Sequence, residues 1–174
     1  HVQDKTIIVT GAASGFGRLI CQKAISAGAK VVCADINEGL LNTVVQELIG
    51  AGGRAIGQHT DVSDLSQMRG LATKAVEHFG RIDVMVNNAG VMPLAFYADH
   101  ADASAKWSQC IDININGVLH GIISVYDQMM AQEEGHVINI SSIYGNFPVA
   151  GAGVYGASKA AVNFLSESLR VEAR

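Results

Sequence analysis

Short apolar runs alternate with longer helical stretches along this chain. Five runs rich in β-branched and apolar residues lie at Thr6–Thr10, Val31–Ala34, Arg54–Ile56, Val84–Val86 and Val137–Ile140. Strands that alternate with helices imply a parallel sheet, because right-handed crossovers place the helices on its two faces. Several runs are continuously apolar, as strands covered on both faces are. The sequence therefore predicts an α/β fold, with a doubly wound, Rossmann-type parallel sheet in a three-layer α/β/α arrangement.

Residues that begin and end helices fit the same organisation. Ser63 is a predicted N-cap, because its hydroxyl can accept a hydrogen bond from an amide of the first helical turn. Gly28, Gly80 and Gly135 each follow a helical stretch, where glycine commonly ends a helix.

The second half of the chain predicts two long helices. The segment Met92–Ala105 has weak periodicity and is predicted as a loop that enters a helix running to about Gln132. A last helix is predicted from near Val154 and is expected to be still continuing at Arg174.

Composition and charge exclude several classes of protein. The 174 residues suit one domain over 1–174, and the net charge of -4 comes without a basic stripe, so nucleic acid is not an expected partner. No apolar stretch approaches the roughly 18 residues that cross a bilayer, and no signal-peptide pattern opens the chain. We therefore expect a cytoplasmic protein without a membrane partner. The three cysteines and six histidines lack metal-ligand spacing, so we expect free, buried thiols and no metal.

A glycine-rich segment follows the first predicted strand and leads directly into a helix. Gly11, Gly15 and Gly17 form a GxxxGxG array there. Backbone N–H groups at a helix N-terminus can hold a pyrophosphate where no Cβ blocks the approach. The pattern alone is compatible with a glycine-rich turn that binds nothing, but its position between strand and helix favours a phosphate-binding loop.

An acidic residue, Asp35, ends the second predicted strand. A carboxylate there can accept hydrogen bonds from the adenosine ribose hydroxyls of a dinucleotide and would repel a 2′-phosphate. No Lys or Arg stands nearby to neutralise such a phosphate at Ala12, Ala13, Ile36 or Asn37. NAD is therefore the predicted cofactor, in preference to NADP. The alternative is that Asp35 starts a turn or caps the next helix.

Tyr155 and Lys159 stand four residues apart in a predicted helix, so they lie on one face, one turn apart. A phenol is a poor proton donor and acceptor at neutral pH unless a neighbouring cation stabilises its phenolate. Ser142 follows the fifth strand, at the sheet edge where ligands of doubly wound folds bind. Its hydroxyl could donate to a carbonyl oxygen. The alternatives are an exposed helical pair and a serine that merely shapes a turn.

Taken together, these motifs resemble the short, single-domain branch of the short-chain dehydrogenases/reductases. The resemblance spans nearly the whole chain, in the family's order and spacing. It is carried by TGAASGFG at 10–17, Asp35, Asp61-Val62, NNAG at 87–90, DININ at 112–116, Ser141-Ser142 and YGASK at 155–159.

The resemblance implies roles for four residues in catalysis. Tyr155 would be the general acid/base that moves the proton on the substrate oxygen while hydride passes to or from the nicotinamide. Lys159 would stabilise the phenolate and hold the nicotinamide ribose. Ser142 would orient the substrate oxygen. Asn114 resembles the helix residue whose interrupted backbone bonding holds a water that links Lys159 to bulk solvent.

The resemblance also implies a set of cofactor contacts. The glycine loop would surround the pyrophosphate, the acidic strand end would bind the adenosine ribose, and two further loops would flank the adenine and nicotinamide. We expect Asn88 to support the fold rather than touch the cofactor, and Asp61 could mainly cap the following helix. The implied cofactor-binding residues are Gly11, Ser14, Gly15, Phe16, Gly17, Asp35, Asp61, Val62, Asn87, Ala89, Gly90, Tyr155 and Lys159.

Family members usually continue beyond the last helix with further strands and a substrate-covering loop. Because those segments are absent here, we expect a C-terminally incomplete chain whose fifth strand is left as an apolar edge. Residues near the predicted carbonyl site are mostly apolar, which favours a neutral, rather hydrophobic secondary alcohol or ketone as substrate. They are Met92, Pro93, Leu94, Tyr144, Phe147, Pro148 and Val149.

The resemblance further suggests a homodimer or homotetramer. Related proteins pair through the long helix that ends near Gln132 and through the helix that carries Tyr155. Two other functions stay open at this point. One is a dinucleotide-binding sensor or scaffold without catalysis, and the other is a dehydratase or epimerase reaction.

Overall fold

The computed structural model describes residues 1–173, which form five strands and six α-helices. A π-helical segment lies at Asp112–Asn116, and short 3₁₀ turns lie at Tyr97–Asp99 and Ile143–Gly145. The elements are β1 (Thr6–Thr10), α1 (Gly15–Ser26), β2 (Lys30–Asp35), α2 (Glu38–Gly50), β3 (Arg54–His59), α3 (Leu65–Phe79), β4 (Val84–Asn87), α4 (His100–Ile111), α5 (Gly117–Gln132), β5 (His136–Asn139) and α6 (Gly153–Glu172).

The strands make one parallel sheet in the order β3-β2-β1-β4-β5. From β1 the chain adds β2 and β3 on one side and then returns to add β4 and β5 on the other. At the centre of the sheet, Ile8 is in register with Val32 of β2 and Met85 of β4. This is the doubly wound α/β fold that the sequence predicts.

Side chains of the central strand alternate between two cores. Ile7 and Val9 pack with residues of α1 and α2, such as Cys21 and Leu41. Ile8 packs on the opposite face, among residues of α3 and α5. Because both faces are covered, β1 is buried along its whole length, as its continuously apolar sequence indicates.

All five predicted strands are present, with small differences in their bounds. β2 and β3 are longer than predicted, and β5 is His136–Asn139, so Ile140 lies just beyond it. Within residues 1–173, β5 pairs with β4 alone, which confirms the predicted edge strand. Ile138 on this edge is 40% exposed.

The predicted N-cap Ser63 is wrong. Its amide and hydroxyl both donate to the carboxylate of Asp61, so the hydroxyl is already used in a turn before the helix. The residue that caps α3 is Asp64, whose carboxylate accepts from two amides of the first turn. Sequence alone did not distinguish these neighbouring capping residues.

Two of the three predicted helix-ending glycines are confirmed. Gly28 and Gly80 follow α1 and α3 with a φ of 82° each, the left-handed region that favours glycine. Gly135 is not such a residue. At the end of α5, Glu133 takes the left-handed conformation with a φ of 54°, two residues before this glycine.

The long helix begins earlier than predicted. α4 starts at His100, inside the segment Met92–Ala105 that we predicted as a loop, and helical structure then continues through the π-helical segment to Gln132. The last helix begins at Gly153, one residue from its predicted start, and ends at Glu172. The predicted continuation at Arg174 lies outside the described residues.

The three cysteines are buried and free, as the sequence predicts. Cys21 of α1 and Cys33 of β2 face each other in the core with their sulfur atoms 3.7 Å apart. None of the helices in residues 1–173 has both the length and the apolar content needed to cross a membrane.

Asp83 lies at the amino ends of the central strands, opposite to the carboxyl ends where the glycine loop lies. Its side chain is 3% exposed, and its carboxylate accepts the Thr6 amide at 2.8 Å and forms ion pairs with Lys5 and Arg81. Burial raises the pKa of this carboxyl, but the hydrogen bonds from Thr6, Arg81 and Lys5 outweigh burial and hold the pKa below its usual value. Glu134 binds the same two cations at the surface.

We expect Asp83→Asn to lower the free energy of unfolding by about 1–3 kcal/mol at pH 7, because a buried acceptor loses its charge beside two cations. Since the folded-state pKa is depressed, this contribution is present above the unfolded pKa of about 3.9 and is lost as the pH falls through the folded-state value. Urea unfolding at pH 7 and below pH 4 measures both effects. Glu134→Gln is the matched control and should cost less, and an equal loss in both variants would contradict the role of Asp83.

Candidate active site

The loop between β1 and α1 is folded against the end of β2. The Ala12 amide donates to the carbonyl of Ala34 at 3.0 Å, which continues the pairing of β1 with β2 by one residue. The Ala13 amide then donates to the carboxylate of Asp35 at 2.9 Å. Ser14 is the N-cap of α1 and makes no side-chain capping bond, so amides of the first turn are not capped by it.

Close packing dictates two of the glycines in this loop. A Cβ on Gly17 would overlap the carbonyl oxygen of Gly11, so α1 could not start this close to β1 with any larger residue. Gly11 itself has a φ of 65°, and a Cβ there would lie 2.9 Å from the side-chain nitrogen Nδ2 of Asn88. Gly15, by contrast, has open space where its Cβ would be. The loop therefore presents bare backbone outwards and packs tightly inwards.

Asp35 is held by two backbone amides at the end of β2. Its Oδ2 accepts from Ala13 and its Oδ1 accepts from Asn37, both at 2.9 Å. Asn37, not Asp35, is the N-cap of α2. The carboxylate is partly exposed and faces the groove described next.

A groove of about 370 Å³ runs along the carboxyl ends of the central strands. Gly17 and Asn87, both predicted to bind cofactor, lie outside it and are buried, and Tyr155 and Lys159 are not in its lining. No Lys or Arg is in its lining among residues 1–173. The predicted cofactor residues that line the groove are Gly11, Ser14, Gly15, Phe16, Asp35, Asp61, Val62, Ala89 and Gly90.

Sequence reasoning missed several residues of this groove. Most of them adjoin a predicted residue at a strand end, so their position in the sequence was the available signal. Ile113 comes from the π-helical segment, and no pattern in the sequence placed it there. The additional lining residues are Ile36, Thr60, Asn88, Val91 and Ile113.

The loop after β3 forms one wall of the groove. The Oδ1 atom of Asp61 accepts from the amide and hydroxyl of Ser63, so this carboxylate shapes a turn as well as facing the groove. The carbonyl oxygen of Val62 lies 2.9 Å from Nδ1 of His120 on α5. Because a carbonyl only accepts, Nδ1 of His120 carries the proton in this contact.

Thr10 and Asn88 join the loops that follow β1 and β4. The Thr10 hydroxyl oxygen accepts from the amides of Asn88 and Ala89 at 3.1 Å each. The Asn88 side chain donates to the carbonyl of Thr10 at 2.9 Å. These contacts give Asn88 the supporting role expected for it, and Asn88 also lines the groove, which was not expected. Asn87 points elsewhere, and its side-chain amide donates to Asn139 of β5 at 2.8 Å.

A second group of predicted residues lies around the start of α6. The hydroxyl oxygen of Ser142 accepts from the amide of Tyr144 at 3.2 Å. The ring of Tyr144 packs edge-on against the ring of Tyr155, with centroids 6.1 Å apart. Tyr144 thus contacts both predicted residues, Ser142 through its backbone amide and Tyr155 through its ring.

Lys159 lies one turn after Tyr155 and is 5% exposed. Its Nζ donates to the carbonyl of Ile140 at 2.7 Å and is 5.9 Å from the centre of the Tyr155 ring. Burial lowers the pKa of this ammonium. A buried cation is therefore held beside the phenol, as the four-residue spacing predicts.

Asn114 lies fully buried in the π-helical segment, where regular α-helical bonding is interrupted. Its side-chain amide pairs with both backbone groups of Val91, accepting from the N–H and donating to the carbonyl at 2.9 Å each. It also donates to the hydroxyl of Ser158 at 3.0 Å. Asn114 thereby ties the groove wall to α6.

Residues 5–174 match the family model described as short chain dehydrogenase. The chain belongs to the short-chain dehydrogenase/reductase family. This confirms the resemblance seen in the motifs, and the parallel sheet with flanking helices has the predicted Rossmann-type architecture.

Several relatives and solved structures resemble this family member over nearly all its length. An uncharacterized oxidoreductase of Listeria monocytogenes is 40% identical over 98% of this chain, and cyclopentanol dehydrogenase of Comamonas is 34% identical over 99%. The crystal structure of a short-chain dehydrogenase/reductase from Burkholderia phymatum in complex with NAD is 39% identical over 96% of this chain, with a TM-score of 0.92. NAD+-bound xylitol dehydrogenase is 27% identical over 98%, with a TM-score of 0.93.

The chain spans only part of these proteins. It covers 68% of the Listeria and Comamonas relatives, 59% of the Burkholderia chain and 65% of the xylitol dehydrogenase chain. The roles of the individual site residues stay predictions.

Proposed function

We propose that the protein is an oxidoreductase that transfers a hydride between NAD(H) and a secondary alcohol or ketone, with Tyr155 as general acid/base. The observation that carries this proposal is the buried Lys159 ammonium, held one helical turn from the Tyr155 phenol and near the groove at the carboxyl ends of the central strands. A protein that only bound a dinucleotide would have no use for this pair. Family membership and the NAD-bound structures of two relatives support the same function.

The groove suits NAD in shape and chemistry. Bare backbone at Gly15 and the start of α1 leaves room for a pyrophosphate, with the positive end of the helix dipole facing it. The partly exposed carboxylate of Asp35 can accept hydrogen bonds from ribose hydroxyls, and its charge disfavours a 2′-phosphate. The groove lining in residues 1–173 has no Lys or Arg to offset that charge. We propose that Asp61 and Val62, which line the same groove, flank the adenine.

The chemistry of the chain's own residues is proton transfer and orientation. The bound cofactor would supply the redox chemistry, with NADH donating the hydride in ketone reduction and NAD+ accepting it in alcohol oxidation. Tyr155 gives a proton to the substrate oxygen during reduction and takes it back during oxidation. Lys159 stabilises the phenolate electrostatically, and Ser142 donates a hydrogen bond to the substrate oxygen.

The substrate we infer is neutral and rather hydrophobic. The loop after β4 contacts the segment before α6, since the Ala95 amide donates to the carbonyl of Gly151 at 2.9 Å. Exposed apolar side chains lie on both segments, with Leu94 62% and Phe147 48% exposed. Neither segment contains a Lys or Arg to bind a carboxylate or phosphate. The relative named cyclopentanol dehydrogenase is consistent with an uncharged alcohol.

Tyr155→Phe is expected to lower kcat by about 10²- to 10⁴-fold, because it removes the proton donor and keeps the ring. Alcohol-dependent formation of NADH by the full-length protein, over a broad panel of secondary alcohols, measures this. Tyr126→Phe on α5 is the matched control and should leave kcat unchanged. Unchanged turnover in Tyr155→Phe would contradict its assignment, and NAD binding without turnover in the wild type would favour a sensor.

Asp35→Asn is expected to raise the ratio of kcat/KM for NADP to that for NAD by at least about tenfold. The change removes the charge that repels the 2′-phosphate and retains one oxygen that can accept from Ala13, while the bond from the Asn37 amide is lost. Asp61→Asn, which removes another carboxylate from the same groove, should leave that ratio unchanged. A wild-type protein that prefers NADP would contradict the role given to Asp35.

We also infer a homo-oligomer that pairs through α4–α5 and α6. Apolar side chains are exposed on these helices, among them Phe164 at 77%, Met130 at 54% and Ile123 at 39%. The small residues Ala157 and Ala160 are exposed on α6 and would allow helices to approach closely. Light scattering of the full-length protein is expected to give a dimer or tetramer, whereas a monomer would contradict this inference.

A further inference from the structure

A single hydroxyl connects α6 with the π-helical segment. Ser158 is 1% exposed, and its Oγ donates to the carbonyl of Tyr155 at 2.7 Å. The same Oγ accepts from Nδ2 of Asn114 at 3.0 Å. Ser158 therefore bonds at once to the backbone of the proposed acid/base and to the buried amide of the neighbouring helix.

The group to which Ser158 is bonded is itself fixed. The Asn114 amide is bonded to both backbone groups of Val91, which lines the groove. A Cβ built on Gly90 would lie 3.2 Å from Oδ1 of Asn114 and 3.6 Å from Nζ of Lys159. The side chains of Asn114 and Lys159 thus both lie next to Gly90, which lines the groove.

The bond from Ser158 falls on the turn of α6 that separates Tyr155 from Lys159. In an α-helix the carbonyl of Tyr155 is directed towards the amide of Lys159, so the Ser158 hydroxyl shares this acceptor. Serine hydroxyls that bond back to a helix carbonyl adjust the local geometry of the helix. Here the same hydroxyl is buried and also accepts a hydrogen bond from Asn114, so a protein group and not solvent fixes its position.

We propose that Ser158 is a positioning residue that fixes the turn between Tyr155 and Lys159 against Asn114 and so sets the separation of phenol and ammonium. The inference rests on the proposed oxidoreductase function. Ser158 is bonded to the Tyr155 carbonyl and not to the phenol. It acts through the backbone of α6.

The chain offers a matched control on the same helix. Ser166 donates to the carbonyl of Val162 at 2.7 Å and accepts from the side-chain amide of Asn139 at 2.9 Å. It therefore has the same pair of contacts as Ser158, but two turns further from Tyr155. Loss of either hydroxyl should cost similar stability, while their effects on catalysis should differ.

The test compares Ser158→Ala with Ser166→Ala in the full-length protein, with kcat corrected for the folded fraction. We expect Ser158→Ala to lower kcat about tenfold, to leave KM for NAD within about twofold, and to move the pH of half-maximal kcat upwards. Two other titratable groups lie near the pair: Tyr144 packs on Tyr155, and Cys110 lies near Lys159. The serine variants leave both of them unchanged. Ser166→Ala should change neither kcat nor the pH profile. Ser158→Thr, which keeps the hydroxyl, should restore kcat.

Each outcome bears on one of the two proposals. Equal effects of Ser158→Ala and Ser166→Ala on kcat, or an unmoved pH profile with normal kcat, would show that Ser158 is merely structural. If Ser158→Ala does not fold, Ser158→Cys keeps the volume with a weak donor and is expected to show the same fall in kcat. A wild-type protein without turnover on the alcohol panel overturns the proposed function and this inference with it.

Discussion

Strand β1 is hydrogen-bonded to β2 on one side and to β4 on the other, and the rest of the structure depends on this central position. The chain leaves β1 towards the face covered by α1 and α2, and it leaves β4 towards the face covered by α5. The two loops therefore diverge at the carboxyl edge of the sheet, which opens the groove between them. Strand order therefore sets the position of the groove, and the side chains set only its lining.

Short contacts keep this opening from collapsing or spreading. Thr10 accepts hydrogen bonds from the amides after β4, and Asn88 donates to the carbonyl at the end of β1, so the two loops are hydrogen-bonded to each other. Gly17 lets α1 start directly above Gly11, which brings the first turn of the helix to the groove. Because these groups face inwards, the backbone that remains exposed is available to a ligand.

The proposed chemistry lies on the part of the molecule that follows β4. Asn114 connects the groove wall to α6, and Lys159 reaches back to the carbonyl after β5. The phenol of Tyr155 is thus held by a helix that is braced against both the sheet and the neighbouring helix.

The sequence by itself determined the alternation of strands and helices, and with it the doubly wound type of sheet. It also determined the glycine loop and the Tyr155–Lys159 pair, because each of these depends on residues close together in the chain. Tertiary structure decided which predicted residues face the groove. Asn87 and Asn88 are neighbours, yet Asn88 lines it and Asn87 turns to β5, since alternate residues of a strand end point to opposite sides. Likewise, the hydrogen bond that Asn114 donates to Ser158 joins residues far apart in sequence, and only packing of α6 on the π-helical segment brings them together.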